Sequence, residues 1–191
     1  MLDLKKIDRS WTLFLDRDGV INEEKDMDYV YNFHEFKFYD GVLEALKILS
    51  AQFGKIIVAT NQRGVEKQLM SEDDLKELHA NMLKEIEANG GRIDAIYYCT
   101  SLDDAHPNRK PQPGMAYLAK QSFPQVEFSK SIMVGNNLSD MQFGRNAGMY
   151  TVFVKTTNPH LPLPNPDIDI AFQDLAAFAL SMKNFDGLLK T

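Results

Sequence analysis

The chain has 191 residues, of which 44% are hydrophobic and 25% are charged, as expected for one globular domain with a sizeable core. The formal net charge of −6 argues against general affinity for nucleic acids, although it says nothing about local fields. The single cysteine, Cys99, excludes an intrachain disulfide.

Short apolar segments alternate with helical patterns along the chain. Strands are predicted at 11–16, 55–60, 94–99, 131–136, 151–156 and 169–172. Helices are predicted at 41–52, 71–90, 113–121, 138–148 and 173–183. Ser71 is expected to cap the second helix with Asp74 in a capping box, Pro113 to stand in the first turn of the third, and Gly148 to close the fourth. A proline-rich loop at 158–167 does not divide the chain.

The alternation of strand and helix predicts the fold class. Strands in this arrangement lie parallel and are joined by right-handed crossovers. Strands that are apolar on both faces fit a sheet covered by helices on both sides. We therefore predict a single α/β domain over 1–191, a doubly wound parallel sheet. Ligands of such sheets bind at the carboxyl ends of the strands.

Polar residues follow four of the predicted strands, in the place where this fold binds ligands. In chain order they are Asp16 and Asp18; Thr60, Asn61, Gln62 and Arg63; Arg109 and Lys110; and Asn136, Asn137 and Asp140. Two carboxylates at one strand end permit phosphoryl transfer, because one can attack phosphorus and the other can move a proton. A hydroxyl and backbone amides can hold phosphoryl oxygens, a lysine can neutralise developing charge, and magnesium would complete the site.

Four segments carry a family resemblance. In this order, LFLDRDGVIN, VATNQRGV, RKPQPGM and MVGNNLSDM resemble the haloacid dehalogenase superfamily of phosphatases. More narrowly they are similar to the branch that contains histidinol-phosphate phosphatase and D-glycero-D-manno-heptose 1,7-bisphosphate phosphatase. The resemblance extends from Leu13 to Val154.

The resemblance implies roles for the catalytic and metal-binding residues. Asp16 would be the nucleophile and a magnesium ligand. Asp18 would be the general acid and base, with its backbone carbonyl on the metal. Asn136 stands where the third protein ligand of magnesium is expected, and Asp140 would orient metal-bound water.

The resemblance also implies a substrate-binding set. Thr60 and Asn61 would bind the phosphoryl group, Lys110 would neutralise it, and Arg109 would help to hold the substrate. Gln62, Arg63 and Asn137 complete this set.

The spacing of the motifs leaves no room for a large cap, so the resemblance implies a capless enzyme. A long connection at 20–40 is expected to form a short flap, since such connections in compact domains are usually functional. The flap is rich in aromatic residues, which have either a packing or a substrate-binding role: Tyr29, Tyr31, Phe33, Phe36, Phe38 and Tyr39.

The sequence departs from the family pattern at three places. Asn136 replaces a carboxylate and brings no negative charge, so weaker magnesium binding is expected. The loop before Arg109 holds only Cys99 and His106 where relatives bind a structural zinc, and no zinc is expected. Lys67 replaces the arginine of a motif of the family, and a lysine cannot form the bidentate fork.

The sequence thus predicts a magnesium-dependent phosphatase of a small phosphorylated metabolite, with a sugar bisphosphate of heptose type as the nearest substrate. Histidinol phosphate, a 3′-phosphate of a nucleic acid end, and a non-catalytic binding scaffold remain as alternatives; the acidic net charge argues against nucleic acid. The N-terminal segment has no apolar core, so a cytoplasmic protein without a membrane partner is expected. A monomer or a small homo-oligomer is expected.

Overall fold

The structure of the protein is a computed structural model that describes residues 2–25 and 28–186. The prediction of one domain over 1–191 extends beyond the described residues and stays a prediction. The strands are β1 (Thr12–Leu15), β2 (Lys55–Asn61), β3 (Ala95–Cys99), β4 (Ser131–Gly135), β5 (Tyr150–Val154) and β6 (Ile170–Phe172). The helices are α1 (Val42–Gln52), α2 (Arg63–Glu66), α3 (Glu72–Ala88), α4 (Gly114–Ser122), α5 (Leu138–Ala147) and α6 (Leu175–Asp186). Two short 3-10 helices lie at Leu4–Lys6 and Phe128–Lys130.

The six strands form one sheet in the order β3-β2-β1-β4-β5-β6, and every neighbouring pair is parallel. The first strand therefore lies in the middle, where Leu13 is opposite both Ile56 and Ile132. The predicted doubly wound parallel sheet is confirmed. The carboxyl ends of β1, β2 and β4 meet at one edge, which positions the polar residues that follow them.

Alternate side chains of β1 pack into two separate hydrophobic cores. Leu13 and Leu15 face the core that holds residues of α1, α3 and α6. Phe14 faces the core that holds residues of α4 and α5. Because successive side chains of a strand point to opposite faces, this division places helices on both sides of the sheet. A strand buried in this way is rigid, and the residues that follow it are held in fixed positions.

Two helix ends agree with the local sequence signals. The Ser71 hydroxyl accepts a hydrogen bond from the Asp74 N–H at 3.0 Å, and the Asp74 carboxylate accepts one from the Ser71 N–H at 2.8 Å. This reciprocal pair is the capping box that the sequence predicts. Gly148 ends α5 with φ of 85°, in the left-handed region that glycine adopts at low cost.

Other element boundaries differ from the predictions. Pro113 precedes the first turn of α4 as its N-cap and does not lie inside it. A proline has no N–H to donate, so it fits either position at a helix start. The four-residue α2 was not predicted, because it is too short to produce a helical period. Across the described part of the chain, no helix has the length and apolarity needed to cross a membrane.

The flap, residues 20–40, contributes three phenylalanines to the core. The rings of Phe33 and Phe36 stack at 5.5 Å between centroids, and Phe36 meets Phe38 edge-on at 4.9 Å. These three phenylalanines contact the core of α1, α3 and α6. Packing therefore accounts for them, whereas Tyr29 lies on a cavity described below.

Candidate active site

The site begins where β1 and β4 end side by side. Asp16 follows β1 directly, and its N–H donates to the Val134 carbonyl of β4 at 3.0 Å. Thr60 is the penultimate residue of β2, and Lys110 lies on the loop after β3. The parallel register thus brings residues from four distant parts of the chain to one edge of the sheet.

A buried lysine bridges two of the predicted carboxylates. Lys110 Nζ lies 2.9 Å from Asp16 Oδ1 and 2.6 Å from Asp140 Oδ1. The Asp140 carboxylate also accepts a hydrogen bond from the Asn137 N–H at 3.0 Å, at the start of α5. Three residues predicted from separate motifs therefore form one charged cluster.

Burial sets the protonation of this cluster. It raises the pKa of Asp16 to about 7; the nearby Lys110 charge opposes this rise, while Asp140 and Asp18 add to it. Burial acts to lower the pKa of Lys110, but the two carboxylates outweigh it and the pKa is raised. The lysine therefore stays charged at neutral pH, where it can neutralise negative charge.

Asp18 is held in a different environment. Arg17 Nη2 lies 2.9 Å from both carboxylate oxygens of Asp18, and Asn22 Nδ2 and Gln62 Nε2 donate to them at 2.9 and 2.7 Å. Burial acts to raise the pKa of Asp18, but the Arg17 charge and these hydrogen bonds outweigh it and the pKa is lowered. Two aspartates at one strand end therefore titrate in opposite directions, which separates their chemical roles.

Arg17 is itself supported by a histidine of α3. Arg17 Nη1 lies 3.0 Å from His79 Nε2, and both side chains are buried. Burial and the Arg17 charge together lower the pKa of His79 to about 3, although the Asp18 charge acts in the opposite direction. The ring is neutral at physiological pH, so its Nε2 accepts the arginine N–H. Neither residue is among the site residues that the sequence predicts, because no local motif links positions this far apart.

Asn136 is fully buried at the end of β4. Its Nδ2 donates to Thr157 Oγ1 at 2.6 Å and to Glu24 Oε2 at 3.1 Å. Its Oδ1 has no hydrogen-bond partner among the described residues. A Cβ added to Gly19 would lie 2.0 Å from Asn136 Nδ2, so glycine is needed there for space as well as for its φ of +81°.

Glu24 comes from the flap and was not predicted as a site residue. Burial raises its pKa and the neighbouring Asp18 raises it further, whereas hydrogen bonds with Asn136 and Thr157 act in the opposite direction. The contact joins residues 112 positions apart in the chain.

The predicted phosphoryl-binding residues are close together, but some of their polar groups are already engaged. The Thr60 hydroxyl accepts from Gln62 Nε2 at 3.0 Å. The Asn61 side chain donates to the Lys110 carbonyl and accepts from the Lys110 N–H, both at 3.1 Å. Asn61 therefore positions Lys110. Its role toward a phosphoryl group stays a prediction.

Two predicted substrate-binding arginines lie elsewhere. Arg63 forms an ion pair with Asp104, and Arg109 Nε lies 3.1 Å from the same carboxylate. Arg109 also donates to the Ser101 carbonyl at 3.2 Å. Neither arginine occurs among the described residues that line the cavity at Asp16 and Asp18. In this arrangement they hold the loop after β3 in place.

A cavity of about 150 Å³ lies over the aspartates and is partly covered by the flap. It adjoins an outer cavity of about 640 Å³. The described residues shared by the two linings are Glu24, Lys25, Asp28, Tyr29 and Asn137. The inner cavity alone also contacts Asp16, Asp18, Thr60, Asn61, Lys110 and Asp140. A small charged group fits the inner space, and the rest of a ligand has room outside it.

The oxygen donors at this edge suit a hard cation. Among the described residues, no three Asp, Glu, His or Cys side chains converge as a ready ligand group. Magnesium needs few protein ligands, because it keeps waters and binds phosphate oxygens. The unpartnered Asn136 Oδ1 and the Asp16 carboxylate supply oxygens of this kind. Cys99 Sγ lies 3.5 Å from His106 Nδ1, and these two side chains alone are too few for a structural zinc site. The absence of zinc stays a prediction.

Comparison with known proteins places the chain in a family. Residues 11–158 match a family model described as polynucleotide kinase 3 phosphatase. A D-glycero-alpha-D-manno-heptose-1,7-bisphosphate 7-phosphatase of Campylobacter jejuni is 42% identical over 142 residues, which are 74% of this chain and 80% of the relative. The chain belongs to the haloacid dehalogenase superfamily of phosphatases. It lies in the branch that contains the heptose bisphosphate phosphatases, as its motifs predict.

Further relatives support the same branch. A D-glycero-beta-D-manno-heptose-1,7-bisphosphate 7-phosphatase of Vibrio cholerae is 35% identical over 156 residues, 77% of this chain and 82% of the relative. A crystal structure of D,D-heptose 1,7-bisphosphate phosphatase from B. bronchiseptica, complexed with magnesium and phosphate, superposes with a TM-score of 0.82. It is 29% identical, and the match covers 91% of this chain and 98% of that one.

Proposed function

We propose that the protein is a magnesium-dependent phosphatase that hydrolyses a sugar bisphosphate of heptose type through an aspartyl-phosphate on Asp16. The observation that carries this proposal is the buried Lys110 ammonium, 2.9 Å from Asp16 and 2.6 Å from Asp140, at the inner cavity. A cation held between an acidic nucleophile and a second carboxylate suits a phosphoryl group, whose charge must be balanced as it transfers.

In the proposed reaction the Asp16 carboxylate attacks phosphorus and the bond to the leaving oxygen breaks. Magnesium, held by the Asp16 carboxylate, the Asp18 carbonyl and Asn136 Oδ1, would supply positive charge to the phosphoryl oxygens. Lys110 adds a second positive charge on the same side. Thr60 and the backbone N–H groups after β2 orient the phosphoryl group.

Asp18 moves the proton in both steps. Its lowered pKa leaves it ionised in the free protein, and the negative charge of a bound phosphate raises that pKa so that it takes up a proton. It then gives this proton to the leaving oxygen. In the second step its carboxylate accepts a proton from the water that attacks the phosphorus, which releases phosphate and restores Asp16.

The heptose type of substrate is supported by the curated relatives, whose names give a heptose 1,7-bisphosphate as the compound they act on. The outer cavity of about 640 Å³ offers room for the part of such a substrate beyond the reacting phosphate. Lys67 lines it and supplies positive charge for a second phosphate.

The test is phosphate release from D-glycero-D-manno-heptose 1,7-bisphosphate and from an aryl phosphate, with and without magnesium. We expect turnover that needs magnesium, a preference for the heptose compound, and loss of both in Asp16→Asn. Turnover that is unchanged in Asp16→Asn would overturn the aspartyl-phosphate. Folded wild-type protein without turnover on either compound would favour the binding scaffold.

A second candidate substrate is a 3′-phosphorylated nucleic acid end, because the matching family model carries the description of a 3 phosphatase of polynucleotide kinase. The net charge of −6 opposes binding to a polyanion. A 3′-phosphorylated oligonucleotide and histidinol phosphate belong in the same substrate panel. A higher kcat/KM for either would replace the heptose assignment without changing the reaction class. The cytoplasmic location, the lack of nucleic-acid and membrane partners, and a monomer or small homo-oligomer stay predictions.

A further inference from the structure

The flap brings a carboxylate to the amide that replaces the expected third carboxylate. Glu24 Oε2 lies 3.1 Å from Asn136 Nδ2, and Glu24 lines both the inner and the outer cavity. Thr157 Oγ1 accepts from the same amide nitrogen at 2.6 Å. Position 136 has no negative charge, but Glu24, which hydrogen-bonds to Asn136 from the flap, carries a carboxylate.

This contact determines which end of the amide is free. An ionised carboxylate can only accept hydrogen bonds, so Glu24 requires the Asn136 nitrogen on its side. The amide oxygen is then left buried and without a hydrogen-bond partner among the described residues. An amide oxygen is a suitable ligand for a hard cation, whereas the nitrogen is not. Glu24 thus orients the one group of Asn136 that can bind a metal.

The charges around the inner cavity balance a divalent cation only when Glu24 is included. Asp16 and Asp140 share the single positive charge of Lys110, and Arg17 neutralises Asp18. Among the described residues that line this cavity, Lys25 and Asp28 carry opposite formal charges with 3.8 Å between their charged atoms, and Lys25 also binds Glu35, outside that lining, at 2.7 Å. The remaining charge is one negative unit from the Lys110 cluster and one from Glu24. A carboxylate at position 136 would instead lie against Glu24, and like charges at that distance repel.

We propose that Glu24 is a positioning residue of the cation site, which orients Asn136 Oδ1 toward magnesium and supplies the negative charge that Asn136 lacks. This inference rests on the proposed function, since it concerns the magnesium of that reaction. In this proposal the flap, and not the end of β4, provides the carboxylate next to the cation.

The experiment measures magnesium binding directly, by calorimetric titration of the full chain with magnesium alone. The variants are Glu24→Gln, Asn136→Asp and the two combined. Glu23→Gln is the matched control, because Glu23 pairs with Lys37 at 2.5 Å and is not among the described residues that line either cavity.

We expect Glu24→Gln to weaken magnesium binding by about tenfold or more, since one compensating charge is lost. The control should bind as the wild type does. The combined variant should recover most of the wild-type affinity, because the carboxylate returns to position 136 while its repelling neighbour is gone. A residue with only a packing role would show no such recovery, and thermal unfolding verifies that each variant is folded.

Three results would overturn the inference. Wild-type affinity in Glu24→Gln, together with magnesium-dependent turnover in the wild type, removes the role of Glu24 and leaves the proposed function intact. A weakened Glu24→Gln without recovery in the combined variant assigns Glu24 to flap structure. A wild-type protein that neither binds magnesium nor releases phosphate removes the proposed function and this inference together.

Discussion

At the scale of single residues, the two aspartates after β1 differ because their neighbours differ. Asp16 faces a lysine that it shares with Asp140, and burial raises its pKa. Asp18 receives the Arg17 fork and two amide hydrogen bonds, and its pKa is lowered. Two carboxylates of the same type thus titrate in opposite directions because of their contacts, which suits the proposed roles of a nucleophile and an acid-base group.

The buried neutral His79 makes the fold sensitive to acid. Its pKa is about 3 when folded against an ordinary value near 6.5, so the unfolded chain binds the proton first as pH falls. Stability from this group is complete above about pH 6.5 and is lost as pH falls toward 3. Between pH 7 and pH 5 the loss is about 2 kcal/mol.

When the pH falls from 7 to 5, the free energy of unfolding should decrease in both proteins. We expect this decrease to be about 2 kcal/mol smaller in His79→Gln than in the wild type. Glutamine can still accept from Arg17 but does not titrate. Urea unfolding at the two pH values measures the difference. Equal pH dependence of the two proteins would mean that His79 is not the neutral buried acceptor described above.

Gly19 leaves the space that the Asn136 side chain occupies. We expect Gly19→Ala to cost more than the roughly 1 kcal/mol of a left-handed residue, because its Cβ would also displace Asn136. Magnesium-dependent phosphate release should fall with it. Gly148→Ala is the matched control, with a φ of +85° and no described atom within 4 Å of the added Cβ. Equal effects of the two substitutions on stability and turnover would contradict the close contact at Asn136.

At the scale of elements, α3 connects a local capping signal to the candidate site, because its His79 contacts Arg17, which binds Asp18. The helix begins at the Ser71 cap and carries His79 two turns later, where the ring supports Arg17. The sequence predicts the cap because it is local, within four residues. It does not predict the histidine contact, because that depends on how the helix packs across β1.

Loss of the cap should weaken this helix. Ser71→Ala is expected to lower the free energy of unfolding by about 1 kcal/mol, since the Asp74 N–H loses its acceptor. Ser122→Ala, at the exposed end of α4, should change it much less. Denaturant titrations of the two variants test this, and a cap variant as stable as the wild type would show that another group satisfies the helix start.

At the scale of the whole molecule, the sheet order explains how four short motifs form one site. The central β1 is paired on one side with β2 and on the other with β4, so their carboxyl ends lie next to each other. The loop after β3 then adds Lys110, and the flap covers the cavity from the other side. The fold therefore concentrates negative charge at one edge, where a divalent cation is expected to bind.

Magnesium should accordingly stabilise the whole domain. At a concentration about 100 times its dissociation constant, we expect it to raise the free energy of unfolding by about 2.7 kcal/mol. Asp16→Asn should remove most of this increase, and sodium at equal ionic strength separates binding from screening. Thermal unfolding with increasing magnesium provides the measurement. A midpoint that does not change in the wild type would argue against a cation site at this edge.

The sequence by itself determined the features that depend on local pattern. Apolar periods predict the strands and helices, and the Ser71 and Gly148 signals predict two helix ends. The strand-end motifs predict that Asp16, Lys110 and Asp140 are neighbours. These are predictable because hydrophobic period, capping chemistry and the parallel order of strands each depend on residues close in sequence or on a general rule of the fold.

Only the tertiary structure decided the contacts between distant side chains. Three sets of contacts have no local sequence signal. Glu24 contacts Asn136, and His79 contacts Arg17. Arg63 and Arg109 both pair with Asp104. Each depends on the path of the flap or of a loop through space and on which charges become buried together. Desolvation then determines which partners must pair, and that selection exists only in the folded chain.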